Sequence, residues 1–329
     1  LAPFVYFKRR ELRIVKVAIL GAGALGLLWG ARLAELPYEL TFITRTIEQK
    51  EKLNEQGLTI TTLSKQTKKF QVIATWMGEQ DLPIFDLILV TVKQLHLPQV
   101  IPLLQRCSHE KTLLLFFQNG MGHESSIIQL QQRTRTYAVV TTEGALRKSS
   151  TEVCHTGKGE AWIGSFPYEE GKSYTFIQPF LQVFQQEGTS DFIQYDSKVK
   201  QRMWEKLAIN SVINPLTTFY RVKNGELISG KYDEMMKAIF AEAIGVINQM
   251  GFQLDEETMF QRVLEVCRRT AQNQSSMLQD LLKGNRTEID HINGIIVSLG
   301  KKLHIPTPVN EQMVQQIHRL EYEVQSKRV

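Results

Sequence analysis

Three polar side chains recur every fourth residue in one otherwise largely apolar stretch, Trp204-Glu205-Lys206-Leu207-Ala208-Ile209-Asn210-Ser211-Val212-Ile213-Asn214-Pro215-Leu216. On a helix, that spacing sets the Lys206 ammonium and the Asn210 and Asn214 carboxamides on one face. The stripe reads in two ways. Polar stripes are common on solvated surface helices; yet asparagine is a poor helix former, and a pair of them on one face calls for a reason. Pro215 deletes a backbone donor and is expected to kink or loosen the helix, a distortion tolerated more readily near a site.

A second cluster lies at Ser275-Ser276-Met277-Leu278-Gln279-Asp280 and Thr287-Glu288-Ile289-Asp290-His291-Ile292-Asn293-Gly294. Each part sets a hydroxyl residue three positions ahead of Gln or Asp. That is the pattern of a helix start, so capping by Ser276 and Thr287 accounts for both without any catalysis. Glu288 then falls in a first helical turn, where a negative charge is at ease.

Near the start of the chain, residues 15–20 form an aliphatic run of the kind that makes a strand buried on both faces, and they lead directly into Gly21-Ala22-Gly23-Ala24-Leu25-Gly26. Gly21 suits the tight turn, Gly23 lets the backbone approach a pyrophosphate, and Gly26 allows close helix–strand packing. The helix N-terminus that follows would receive the phosphates. An apolar helix over residues 27–34 and a strand over residues 40–43 complete a unit of about 30 residues, the context that gives a G-x-G-x-x-G loop its meaning. The second strand ends at Thr44-Arg45-Thr46, where an NAD enzyme usually carries Asp or Glu for the ribose 2′-hydroxyl. A guanidinium between two hydroxyls suits a 2′-phosphate, so NADPH is favoured over NADH. Glu48 stands close by as a counter-argument, and a solvated loop arginine is the bland reading of Arg45.

Two more strand-like runs, residues 85–92 and 112–117, end at Lys93 and at Gln118-Asn119-Gly120-Met121-Gly122. Ligands of doubly wound sheets lie beyond the carboxyl ends of the strands, which puts Lys93 and Asn119 where a cofactor would be. An ordinary Asn-Gly turn explains Asn119 equally well.

The elements that must position these residues follow from the wider pattern. Residues 137–142 and 160–164 read as later strands of the same sheet. From about Asp196 alternation gives way to apolar spacings of three and four, as in Met235, Ile239, Ala243, Val246, Ile247 and Met250. The expected fold is therefore α/β: an N-terminal Rossmann-type doubly wound sheet over residues 14–197 and an all-helical domain over 198–329, with the junction as the natural cleft. A length of 329 residues with 43% hydrophobic content supports two cores. The net charge of +5 is spread among acidic residues, its one dense cluster being Lys8-Arg9-Arg10, which argues against a nucleic-acid partner and for anionic small ligands. Cys107, Cys154 and Cys267 are odd in number and far apart, so neither a disulfide framework nor a structural metal site is indicated, and a reducing cytoplasm fits. No apolar stretch reaches the roughly 18 residues needed to span a bilayer, so no membrane partner is expected. Residues 1–13 read as an extension, either a start-site artefact or a disordered arm.

Taken together, Gly21-Ala22-Gly23-Ala24-Leu25-Gly26, Asn119-Gly120-Met121-Gly122, the segment from Lys206 through Asn210 to Asn214-Pro215-Leu216-Thr217, and Ser276-Met277-Leu278-Gln279-Asp280 leading to Thr287-Glu288-Ile289-Asp290-His291-Ile292-Asn293-Gly294 resemble the ketopantoate reductase family. The last two segments are more specific to it than the glycine loop. The resemblance implies a two-domain enzyme that reduces 2-dehydropantoate to pantoate with NADPH, on the way to pantothenate. It implies catalytic roles for Lys206, the general acid, and for Glu288, which also serves the cofactor. It places the substrate on Asn119, Lys206, Asn210, Asn214, Asn224 and Ser276. It places the cofactor on residues 21–26, on Arg45 and Lys93 facing the adenine-side phosphates, on Asn119 near the nicotinamide ribose, and on the Ala145 backbone. The departures, Gln118 before Asn119-Gly120 and the N-terminal extension, leave the chemistry untouched. That chemistry is physically reasonable: charge building on a ketone oxygen is stabilised by an ammonium that can also supply the proton, given partial burial to lower its pKa. No metal is required. A monomer or homodimer is compatible with the sequence. Two rivals remain, a reductase of another branched 2-oxo acid and an NADPH-binding regulatory protein without turnover.

Overall fold

The computed structural model describes residues 15–131, 134–166, 173–186 and 193–327; the expected extension at residues 1–13 lies outside them. In chain order the elements are β1 (Lys16–Leu20), α1 (Ala24–Leu33), β2 (Glu39–Thr44), α2 (Ile47–Gln56), β3 (Leu58–Thr61), β4 (Thr67–Phe70), β5 (Ile73–Trp76), β6 (Leu87–Val90), α3 (Leu97–Arg106), β7 (Leu113–Phe116), α4 (Glu124–Gln131), β8 (Arg135–Thr141), β9 (Gly144–Arg147), β10 (Glu152–Gly157), β11 (Ala161–Ser165), α5 (Ser173–Gln186) and β12 (Ile193–Tyr195). The helices α6 (Val199–Tyr220), α7 (Asp233–Gln249), α8 (Glu256–Arg269), α9 (Ser276–Leu282), α10 (Ile289–Leu303) and α11 (Pro308–Ser326) complete it.

The α/β expectation is met by an eight-stranded sheet in the order β12-β11-β8-β7-β6-β1-β2-β5. Its members are parallel except where β11 runs antiparallel to β8. β1 is fully buried after its first residue, as strands covered on both faces are. Its neighbours are β2 on one side and β6 on the other, so the order reverses at its carboxyl end, the switch point where such sheets hold ligands. A second sheet, β4-β3-β10-β9, was not foreseen from the sequence. Its strands are short; β3 alternates only over Leu58-Thr59-Ile60-Thr61, and its partner β4 carries exposed Lys68 and Lys69, so the hydrophobic pattern is too brief to announce a sheet.

α1 packs against strands of both sheets, which is why seven of its ten residues are buried. Small side chains make this possible. A Cβ on Gly30 would lie 2.1 Å from Phe42 Cζ, so the aromatic ring of β2 fills the space that a larger residue would take.

By contact the chain divides into two compact units: a sheet unit running up to Gln118 and again over His123–Lys200, and a helical unit made of Asn119–Gly122 together with Gln201 onward. In the helical unit α10 packs on α7 and α11. The buried face of α7 is Met236, Ile239, Phe240, Ala243, Ile244, Val246 and Ile247, a slight rotation from the expected stripe, since Met250 is the exposed C-cap.

α6 runs continuously through Pro215. Proline supplies no N–H to the carbonyl four residues back, which is Ser211. The Asn293 side chain on α10 donates to that carbonyl at 2.8 Å and donates also to Asn310 Oδ1 at 2.9 Å. Asn310 in turn donates to Glu242 Oε2, whose carboxylate accepts the Val309 and Asn310 N–H groups at the start of α11. Asn293→Leu is expected to cost about 1–3 kcal/mol, the usual cost of leaving a buried polar group unpaired. In a Pro215→Ala background the backbone N–H returns and the cost of the same change should shrink. Urea unfolding of the four proteins in this double-mutant cycle checks the coupling.

Candidate active site

In the sheet unit, the glycine loop turns at Gly21, where φ is +105° and a Cβ would meet the Val92 nitrogen at 2.9 Å. Gly26 faces back on this turn, and a Cβ there would lie 2.0 Å from the Gly21 carbonyl oxygen. The Thr91 hydroxyl donates to the same carbonyl at 2.6 Å and so ties the end of β6 to the loop. Gly23 is different: nothing lies within 4 Å of the position its Cβ would occupy. It is also the N-cap of α1, and no side chain caps that helix. An open cradle at a helix N-terminus fits the pyrophosphate of a dinucleotide. Ala22, Ala24 and Leu25 lie in the same loop and helix start.

Arg45 is exposed just beyond β2, with its carbonyl receiving the Trp76 indole N–H at 3.0 Å and Thr46 capping α2 through Gln49 N. Glu48, the counter-argument to a 2′-phosphate, is drawn to Lys52 at 2.6 Å. Lys93 precedes the short helical turn Gln94–His96. Burial, then the charges of Arg45 and Lys93, hold the His96 pKa below its ordinary value, so a neutral His96 stands in the electropositive field of Arg45 and Lys93. Ala145 lies on β9, paired with His155 of β10. Gln118, where the sequence departs from the family pattern, donates from Nε2 to the Val90 and Val92 carbonyls and fastens the end of β7 to that of β6.

In the helical unit, Asn119 meets Lys206 and Glu288. Lys206 Nζ donates to Asn119 Oδ1 at 2.6 Å, and Asn119 Nδ2 approaches Glu288 Oε2 at 3.5 Å, the outer limit of a hydrogen bond. Burial draws the Lys206 pKa from 10.5 down to about 8, against the opposing pull of Glu288. The Asn119 segment is docked on the first turn of α10. Met121 N donates to the His291 carbonyl at 3.1 Å, and Gly120, at φ +80°, lies so close to that carbonyl that a Cβ would come within 2.2 Å of it.

Glu288 is the N-cap residue of α10 rather than a first-turn residue, and it is buried. The loop before it is held from α11: Glu321 Oε1 accepts Thr287 N at 2.6 Å, while Glu321 Oε2 and Asp290 Oδ1 flank the two ring nitrogens of His318 at 3.2 and 2.9 Å. Thr287 does not cap the helix as expected; its hydroxyl accepts Ile289 N at 3.3 Å. The cap of α9 is likewise Ser275, not Ser276, because the Ser275 hydroxyl accepts Leu278 N and is itself fixed by Thr217 Oγ1 at 2.7 Å. Ser276 is left exposed, with no capping task. Asn210 and Asn214 follow Lys206 on α6, the first half-buried and the second buried. Asn224 donates to Thr270 Oγ1 at 2.8 Å, and its buried Oδ1 has no hydrogen-bond partner among the described residues. Hydrogen bonds thus join Asn119, Lys206 and Glu288, whereas none joins Asn224 or Ser276 to that trio. Glu321, His318 and Asn293, which hold this arrangement from behind, carried no local signal in the sequence.

The chain that carries a nucleotide-type loop in one unit and a lysine–asparagine–glutamate cluster in the other is matched along most of its length by known proteins. The family model described as "Ketopantoate reductase PanE/ApbA" matches residues 17–168, and "Ketopantoate reductase PanE/ApbA C terminal" matches residues 198–321. The chain is 35% identical over 288 residues to the 2-dehydropantoate 2-reductase of Bacillus subtilis, covering 86% of this chain and 90% of that one. A crystal structure of the panE protein of Bacillus subtilis superposes with a TM-score of 0.76 at 32% identity, covering 93% of this chain and all of that one. A ternary structure of D-mandelate dehydrogenase with NADH and anilino(oxo)acetate shares the fold at a TM-score of 0.86 and 24% identity, covering 94% of this chain. With both halves matched in order and a relative above 30% identity along most of its length, the chain belongs to the ketopantoate reductase family.

Proposed function

We propose that the chain reduces 2-dehydropantoate to (R)-pantoate with NADPH. The observation that carries this reading is the Lys206 ammonium, hydrogen-bonded to Asn119 and brought by burial to a pKa of about 8, in a chain of this family. A group of that pKa is largely protonated at neutral pH yet gives up its proton readily, as a general acid must. Lys206 Nζ stabilises the charge that builds on the carbonyl oxygen and delivers the proton to it. Asn119 fixes the ammonium in place, and Glu288 offsets part of the burial that would otherwise discharge it. Asn210, Asn214, Asn224 and Ser276 offer neutral hydrogen-bonding groups to the substrate carboxylate and hydroxyls.

Residues 14–197 act as the NADP-binding domain and residues 198–329 as the substrate and catalytic domain. Residues 21–26, Arg45, Lys93, Asn119, Ala145 and Glu288 hold the cofactor, which supplies a hydride when bound. Arg45 in place of a carboxylate, with Glu48 engaged by Lys52, supports NADPH over NADH. A cytoplasmic enzyme, monomeric or homodimeric, is the setting this chemistry suits; among the described residues no helix is long and apolar enough to cross a membrane.

The test is oxidation of NADPH, followed at 340 nm, with ketopantoate beside a panel of other branched 2-oxo acids, each repeated with NADH. Turnover highest on ketopantoate with NADPH is expected. Faster turnover on another 2-oxo acid would reassign the substrate, and cofactor binding without turnover on any would make the chain a nucleotide sensor.

A further inference from the structure

The hairpin between β9 and β10 is fastened to the cofactor loop by one side chain. Gln49, buried in the first turn of α2, donates from Nε2 to the Ala22 carbonyl at 2.9 Å and to the Ser150 carbonyl at 2.8 Å. Ala22 belongs to the glycine loop. Ser150 lies in the hairpin turn, three residues beyond Arg147, and Gln49 lies one helical turn beyond Arg45. The amide therefore gathers the glycine loop, the end of β2 and the hairpin into one corner of the sheet unit. A further bond, Thr59 N to Thr151 O at 2.9 Å, anchors the same turn to β3.

Within this corner two guanidinium groups face one another's field. Arg147 is exposed at the end of β9, and its Nε donates to Ser149 O at 2.8 Å, which orients the fork and leaves both terminal nitrogens available. Although the side chain reaches solvent, its pKa is lowered by the desolvation of its inner part and then by the charge of Arg45. Among the described residues neither arginine forms an ion pair with a carboxylate. Two like charges in one corner, neither paired with a carboxylate among the described residues, leave a place that an anion would complete. Lys93 adds to the same positive region, and His96, kept neutral by burial and by those charges, has a buried Nδ1 without a hydrogen-bond partner among the described residues.

We propose that Arg147 is a second guanidinium for the adenosine 2′-phosphate, bracketing it with Arg45 from the β9–β10 hairpin, and so a determinant of the preference for NADPH. The inference rests on the reading of the cofactor as NADPH. It gives β9 a task beyond a backbone contact at Ala145. Two forks on one phosphate supply several charge-assisted hydrogen bonds, whereas NADH presents no group for either.

Isothermal titration of NADPH and of NADH into the wild type, Arg45→Ala, Arg147→Ala and Arg147→Lys tests it without any turnover. Arg147→Ala should weaken NADPH binding roughly 10–100-fold, the range for losing hydrogen bonds to a charged group, with a much smaller effect on NADH. Arg147→Lys should fall between, since it keeps the charge and loses the fork. NADH binding by each variant also reports that it is folded. If Arg45→Ala abolishes the preference while Arg147→Ala retains it, the assignment of Arg147 is overturned and the cofactor reading stands. Equal losses for both cofactors in Arg147→Ala would likewise overturn it, because the residue would then serve the loop and not the phosphate. A wild type that binds the two equally would overturn the cofactor reading itself.

Discussion

Replacing Lys206 with alanine is expected to lower kcat by roughly 10²–10⁴-fold, the span that a positioned general acid contributes, while NADPH binding by titration stays close to that of the wild type. The separation follows from where the residue lies: its ammonium is bonded to Asn119 in the helical unit, whereas the glycine loop and Arg45 belong to the sheet unit. The pH dependence has a definite sign. The acid form of Lys206 is the ammonium, so the rate of reduction should be level below its pKa and fall as pH rises through about 8. Glu288 raises that pKa against the larger effect of burial, so Glu288→Gln should move the descending limb to lower pH. A profile of kcat from pH 6 to 10 in wild type and Glu288→Gln reads both effects. A limb that stays in place when Glu288 is neutralised would assign it to another group.

The second large effect separates two glycines of the same loop. Gly26→Ala sets a methyl group against the Gly21 carbonyl, which the Thr91 hydroxyl already holds, so the backbone must open. Overpacking of this kind costs about 1–3 kcal/mol, and the displaced turn should also bind cofactor poorly. Gly23→Ala meets nothing in the protein, and its φ of −82° suits alanine. Its melting temperature should match the wild type while its cofactor affinity collapses, because the methyl occupies the space that a pyrophosphate needs. Thermal unfolding and NADPH titration of the two variants decide this. Equal stability losses would show that the space at Gly23 is filled by the protein itself.

Local signals carried most of what could be read in advance. The first strand, the glycine loop and α1 were legible because strand, turn and helix succeed one another within a few residues. The ladders proved shorter than the apolar runs: residues 85–92 read as one strand, yet pairing covers Leu87–Val90. Hydrophobicity reports burial, which extends past the last ladder bond. The four-stranded sheet is not legible locally because β3 pairs with β10, nearly a hundred residues away, and the alternation of β3 spans only four residues while β10 buries only Val153. At α9 the two serines are indistinguishable by pattern, and only Thr217, from a different helix, decides that Ser275 takes the cap. The lysine stripe on α6 was visible from its period. Asn119 is marked by its place at a strand end, but that it and Glu288 serve the same site as Lys206 comes from family resemblance, since no periodicity connects Asn119 to Lys206, 87 positions on, or to Glu288, 169 positions on.

Those separations bear on how the protein comes together in time. The short segment Asn119–Gly122 is contributed from the midst of the sheet unit's sequence to the helical unit. Closing a loop costs entropy that grows with the logarithm of its length, so contacts of this span form only after the local helices and strands exist to reward them. During synthesis, Asn119 leaves the ribosome long before Lys206 and longer still before Glu288. The polar trio is therefore among the last parts of the chain to reach its native arrangement. A fragment beginning at residue 201 would fold, at best, into helices that lack one of the three residues. The Met121 amide, bonded to His291, offers a single exchangeable proton that records when that arrangement has closed.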